Sequence, residues 1–298
     1  EWLQRISEGN PYILMELVKY ARQKSLLQPD GSLNLSTLST EALIPQTVYS
    51  LLQARLEALS DPARRILDAG VVMGRRFNFD VAALAAGISE FAAIEALEEL
   101  MDHGLVRSED DRNFTIDHSL IMEVSYRELG DLRLRYFHRR VAEAIENLLP
   151  SSMEDKAGQL AWHFAEAGEP NRAASYARMA GKQAMKLAAW HEAIEYFKMA
   201  LQSQDDLKSE KDWQDLAEAH AKAGEFAQST DAYREAISLA VKHTGSSSDG
   251  NVSGLRLALA RSMLALGRYQ EVIQIAQQVC AKSGPESVLT AELIWGTA

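Results

Sequence analysis

Cysteine is nearly absent from this chain. Cys280 is the only thiol, so no internal disulfide forms and a reducing compartment fits. Its neighbours Ile275, Ala276 and Val279 predict a small side chain buried on a helix. Long apolar runs are missing as well. None reaches the roughly eighteen residues needed to cross a bilayer, and no basic start followed by an apolar core and a small-residue cleavage site marks secretion. A cytoplasmic location and no membrane partner are expected. Positive charge is scarce: 31 Lys and Arg face 42 Asp and Glu, for a formal net charge of -11. That balance weighs against any role resting on neutralising a phosphate backbone. A Gly-x4-Gly-Lys-Ser/Thr loop is also lacking, as is an apolar strand ending in Asp suited to magnesium. These residues by themselves therefore do not cradle and cleave a triphosphate. The histidines, from His103 to His243, are scattered without metal-ligand spacing or a nearby nucleophile, so neither a catalytic constellation nor a bound metal is expected.

What is present is a folded composition, 47% hydrophobic and 24% charged over 298 residues, enough for two or three domains. The chain opens on Glu1 without an initiator methionine and closes on apolar Ile294 and Trp295, which suggests a fragment cut at both ends. After Gly9-Asn10-Pro11, with Asn10 placed to cap and Pro11 pre-set for a first turn, Ile13, Leu14, Leu17, Val18 and Ala21 give a helix one apolar stripe. From Gln28 to Ile44 turn chemistry takes over and predicts a linker. Helical periodicity returns over Gln46–Leu59, Asp61–Val72, Phe79–Ala86 and Ser89–His103, the last closed by Gly104 as a left-handed residue. Two short strands follow, Leu105–Glu109 and Asn113–Asp117, around the turn Asp110-Asp111-Arg112. Helices followed by one small hairpin describe a winged helix. Beyond His118 the pattern is helical almost to the end, broken at Pro150-Ser151-Ser152 and in a flexible tract from Gly245 to Gly254.

The stretch Trp213 to Ala236 reads W-x3-A-x2-H-x3-G-x-F-x2-S-x3-Y-x2-A and matches the tetratricopeptide pattern, in which small residues let two antiparallel helices touch while bulky ones fill between them. Aligning the glycine that ends each first helix adds Gly168 and Gly267. A further Trp190-x2-Ala193-x3-Phe197-x2-Ala200 follows Ala173 after only about twenty residues, where the repeat period is about 34. One long helix from Asn171 to Leu187 is therefore expected to serve two pairs. Core aromatics such as Phe164, Tyr196, Phe197 and Tyr233 are repeat packing. The fold class expected is mainly α: a winged helix with a small hairpin, then a tetratricopeptide-like solenoid, a surface for holding something else.

Four stretches in order, SEGNPYILMELV, IPQTVYSLLQARLEALSDPARRILDAGVVMG, FTIDHSLIMEVSYREL and LRLRYFHRRVAEAIE, resemble consecutive blocks of the signal-transduction ATPases with numerous domains. Within that class they look most like bacterial regulator ATPases attached to adenylate cyclases, protein kinases or LuxR-type tails. The resemblance implies an ATPase lid end and linker over residues 1–45, a winged helix over 46–127 and helical repeats over 128–298. It also implies an ATP- or ADP-binding domain upstream in the same chain, which the winged helix would restrain. The repeats would take a protein or small-molecule ligand. By the same resemblance Gly9, Asn10 and Pro11 correspond to the lid motif beside the nucleotide, a helix start whose free amides attract anions. His118 corresponds to a winged-helix histidine on the diphosphate, a role imidazole suits.

Each assignment has a plainer counterpart. Gly9-Asn10-Pro11 also serves simply as a helix entry, and His118 as a cap between strand and helix; the family motif often has Asp after the histidine, where this chain has Ser119. The segment Ser89–His103 carries Glu90, Glu95, Glu98, Glu99 and Asp102 with no Lys or Arg, so direct nucleic-acid contact is not expected. Arg133, Arg135, Arg139 and Arg140 on Leu132–Leu149 form a solvated face or a clamp on the acidic helix or on phosphate. The leading expectation is a non-enzymatic sensor fragment of a nucleotide-switched signalling ATPase. The alternative is an interaction scaffold with no nucleotide role.

Overall fold

The computed structural model describes residues 7, 9, 11–23, 46–150, 153–202, 209–244 and 249–282. The expected linker from Gln28 to Ile44 and residue Asn10 lie outside the described residues, as does the side chain of Cys280. The described residues are mainly helical with one small sheet, and they divide into two compact units, residues 1–150 and 151–298.

In the first unit, α1 (Pro11–Gln23) precedes α2 (Gln46–Glu57), α3 (Asp61–Met73), β1 (Arg76–Asn78), α4 (Phe79–Ala86), α5 (Glu90–Asp102), β2 (Val106–Ser108), β3 (Asn113–Ile116) and α6 (Ser119–Leu148). Three helix starts carry side-chain caps: Ser60, Asn78 and Ser89 accept from the amides of Ala63, Val81 and Ala92, filling donors that the helix leaves free. Between β2 and β3 the Asp110 carboxylate accepts from the Arg112 and Asn113 amides. That local chemistry fixes the hairpin turn.

The sheet has three strands, not the expected two. Its order is β1-β3-β2, all antiparallel, with Phe77 opposite Phe114 and Val106 opposite Ile116. Arg76–Asn78 is too short to show alternation in the sequence. It pairs because Phe77 enters the core beneath α3, where Gly70 leaves room: a methyl group there would sit 3.0 Å from the Phe77 ring.

The helix α6 bends at Gly130 (φ 64, ψ 161). Residues 128–150, grouped with the repeats in the sequence reading, fall within the first unit. The reason is a specific anchorage of the second half of α6. Phe137, Val141 and Ile145 are buried, and Arg140 donates to the carbonyl oxygens of Leu84 (2.8 Å) and Ala85 (3.4 Å) at the end of α4. This is how a free helix C-terminus acquires partners.

The second unit is α7 (Met153–Glu166), α8 (Pro170–Lys186), α9 (Trp190–Ala200), α10 (Glu210–Lys222), α11 (Phe226–Thr244), α12 (Asp249–Ala265) and α13 (Tyr269–Lys282), each packed on the next. The tract from Gly245 to Gly254, expected to be flexible, is helical from Asp249 onward, because Val252, Ser253 and Leu255 bury one side of it. The long α8 packs on both α7 and α9. Its buried positions, Ala173, Ala174, Ala177, Ala180, Gly181 and Ala184, are all small. A methyl group on Gly181 would lie 2.5 Å from the Phe197 ring, so glycine is what lets that ring in.

Among the described residues of the second unit one turn recurs four times. The amides of Glu169, Ala189, Glu225 and Arg268 donate to the carbonyl oxygens of Phe164, Ala184, His220 and Met263, all at 2.9–3.0 Å. Each turn places its preceding residue in the left-handed region: Gly168, Ala188 (φ 57), Gly224 and Gly267. The array therefore includes a turn that an alignment on glycine misses. An L residue costs about 1 kcal/mol there. Replacing Ala188 with glycine is expected to stabilise the chain by about 0.5–1 kcal/mol, read as a raised midpoint in urea unfolding.

Candidate functional site

His118 sits where β3 gives way to α6 and is 9% exposed. Its backbone is extended (φ -134, ψ 134), as a cap residue requires, and its Nδ1 accepts from the Leu120 amide at 3.2 Å. An Nδ1 that accepts leaves the proton on Nε2. Nε2 lies 2.9 Å from the carbonyl oxygen of Ser7, to which it donates. The ring thus joins Ser7 to the head of α6, and both nitrogens are occupied.

The other described site residues, Gly9 and Pro11, follow Ser7 closely in sequence but are not joined to His118 by any described bond. Gly9, two residues beyond Ser7, has φ 83 with open space where a Cβ would lie. Pro11 is exposed at the start of α1. Asn10, outside the described residues, has no geometry to report. The capping geometry matches the plainer counterpart of His118. For Nε2 to reach a phosphate oxygen, the Ser7 carbonyl must first be displaced.

A second polar concavity lies in the same unit. A cavity of about 240 Å³ opens between α3 and the second half of α6, lined by Asp61, Arg64, Arg65, Asp68, Arg133 and Tyr136. Asp68 is 2% exposed, and its carboxylate accepts from Arg64 Nε at 2.9 Å. Burial pushes its carboxyl up from the usual range, opposed by the positive charges of Arg64 and Arg133. Arg65 pairs with Asp61 at 3.0 Å. The sequence marked Arg133 through its dense positive neighbourhood, but nothing in the pattern of α3 signalled that Asp68 turns inward.

Other described histidines lie apart from these groups. The backbone amide of His103 closes α5 by donating to Glu99 and Met101 carbonyls. His220 Nδ1 lies 2.7 Å from Glu225 Oε2, and His191 Nε2 lies 3.7 Å from Oε1 of the same carboxylate. His138 and His163 are buried. Among the described residues no group of three His, Cys, Asp or Glu could hold a metal, and no helix is long and apolar enough to cross a membrane.

No family model matches the chain. An uncharacterised protein of Rhizobium meliloti (strain 1021) is 26% identical over 220 residues, covering 72% of this chain and 20% of that protein. The chain thus spans only a fifth of the length of the curated relative it matches. Among solved structures, a signal-transduction ATPase with numerous domains and a tetratricopeptide repeat sensor, from Pyrococcus horikoshii, aligns with 94% of this chain and 50% of its own. The TM-score is 0.32 and the identity 13%.

Two outcomes follow from the histidine geometry. His118→Ala removes the cap of α6 and strands the Ser7 carbonyl, and is expected to lower stability by about 1–2 kcal/mol. His118→Asn keeps a capping side chain and should lose less in the same thermal unfolding measurement. Burial pushes the His138 imidazole down to about 4 from 6.5. The unfolded chain then takes up a proton near pH 6.5 that the folded chain refuses until about pH 4. Stability from this residue is full above the upper value and falls as pH drops through the window, by at most about 3 kcal/mol. Urea melts of His138→Leu should lack that component of the acid loss.

Proposed function

We propose that the chain is the regulatory part of a nucleotide-switched signalling ATPase. In this reading α2 to α5 and the sheet act as a winged helix that restrains an ATP- or ADP-binding domain upstream in the same polypeptide. The second unit is a tetratricopeptide-like sensor for a protein or small-molecule ligand. Ligand on the repeats shifts a two-state equilibrium between a closed, nucleotide-locked form and an open one. The chain itself performs no bond-breaking step in this scheme. The output attached to the whole protein is a cyclase, a kinase or a transcriptional tail.

The observation that carries the reading is the bond between His118 and Ser7. It ties Ser7, two residues before Gly9, to the head of α6, which supports reading the two motifs implied by the resemblance together. A diphosphate oxygen arriving there would compete with the Ser7 carbonyl for the Nε2 proton, a charge-assisted bond replacing a neutral one. The α5 helix, acidic along its whole length, supports the absence of direct nucleic-acid binding.

One observation favours the scaffold reading: Nε2 is already satisfied within the chain. ADP affinity separates the two. In the longer polypeptide that carries the upstream domain, His118→Ala is expected to weaken ADP binding by about tenfold, close to 1.4 kcal/mol. Unchanged affinity in a variant that remains folded leaves the scaffold.

A further inference from the structure

The exposed side chains of α5 share one face. Phe91, Ile94, Glu95, Glu98, Met101 and Asp102 recur at helical spacing, while Ala93, Ala96, Leu97 and Leu100 are buried on the other side. Phe91 is 70% exposed, and Ile94 and Met101 are 42% exposed. Three large apolar groups on one stripe, flanked along α5 by Glu95, Glu98 and Asp102, form a face that water covers poorly and phosphate avoids. Among the described residues, no ion pair engages Glu95, Glu98 or Asp102.

The second half of α6 carries the opposite face. Leu132 is 84% exposed and Tyr136 44%, and Arg135 and Arg139 fall on the same side at spacings of three, four and seven. The Arg139 guanidinium lies 6.0 Å from the centre of the Tyr136 ring. Arg135 has no ion-pair partner among the described residues. Tyr136 also lines the polar cavity that Asp61, Arg64, Asp68 and Arg133 share, at the margin of this face.

An acidic apolar stripe and a basic apolar stripe, each uncovered on the same unit, are complementary in charge and in kind. We infer that the chain self-associates, α5 of one copy docking on the second half of α6 of another. About a two-fold axis the contact is made twice, which brings the buried area towards what a stable pair needs. The inference goes beyond the nucleotide reading and does not depend on it.

Sedimentation of the 298-residue chain at about 100 μM tests it, at about 50 and 500 mM salt. Dimers or larger species are expected at low salt, with a shift towards monomer at high salt. Glu95→Arg with Glu98→Arg should give monomer, as should Arg135→Glu with Arg139→Glu, because each places like charges in contact. Mixing the two double variants should restore association, since every contact between them then pairs opposite charges. All four side chains are exposed, and circular dichroism verifies that the variants fold. A wild-type chain that stays monomeric at low salt overturns the inference. So does association that survives either reversal, or a mixture that does not recover.

Discussion

Close approach of helices through small side chains is the constraint on which the second unit depends. Along α8 no buried position is larger than alanine, so this helix fills little of the core with its buried face and relies on Phe164 of α7 and Phe197 of α9 to do so. The Phe164 and Tyr176 rings stack with centroids 5.7 Å apart, and the Arg172 guanidinium lies 3.9 Å from the centre of the Phe164 ring. A helix built this way gains little burial alone. Its stability comes from neighbours on both sides, which is why the units of such an array are cooperative and why one methyl group at Gly181 would be felt in α9.

The first unit solves a different problem. The helices ahead of α6 run 8–13 residues, the sheet is smaller still, and polar fastenings at element ends join these pieces. Ser60 caps α3, and its hydroxyl and amide both donate to Glu99 on α5; Arg140 closes α4 from α6; His118 opens α6 while holding Ser7. Each fastening supplies a partner to backbone or carboxylate groups that element ends leave free. The kink at Gly130 lets α6 serve two clients: its first half continues the sheet core through Leu120, Ile121 and Val124, and its second half turns onto α3 and α4.

Much of this was legible because the signals were local. Apolar periodicity places the helix starts at Asp61 and Phe79 as they are observed and at Ser89 within one residue, and Gly104, Gly168, Gly224 and Gly267 announce turns. Where sequence reasoning fell short, the deciding contact was distant or a residue broke a local rule. Arg76–Asn78 becomes a strand only because Phe114 waits opposite. The second half of α6 joins the first unit through Leu84 and Ala85 carbonyls, which no periodicity reveals. Ala188 adopts a glycine conformation without being glycine, held there by the turn bonds on either side of it. Of the candidate site, the cap geometry of His118 could be read from its place between strand and helix, while its bond to Ser7, more than a hundred residues away, could not.

Asp212 does two jobs with one carboxylate. It completes the capping box of α10 with Ser209 and receives the forked Arg178 guanidinium from α8 at 2.6 and 2.9 Å; burial would push its carboxyl up, but these hydrogen bonds and the Arg178 charge hold it below the usual range. Rolling α10 about its axis would therefore break a helix start and an ion pair at once. The carboxylate acts as an index pin: α8 and α10 meet in a single rotational setting, and any deformation of the array has to bend around that joint instead of sliding through it.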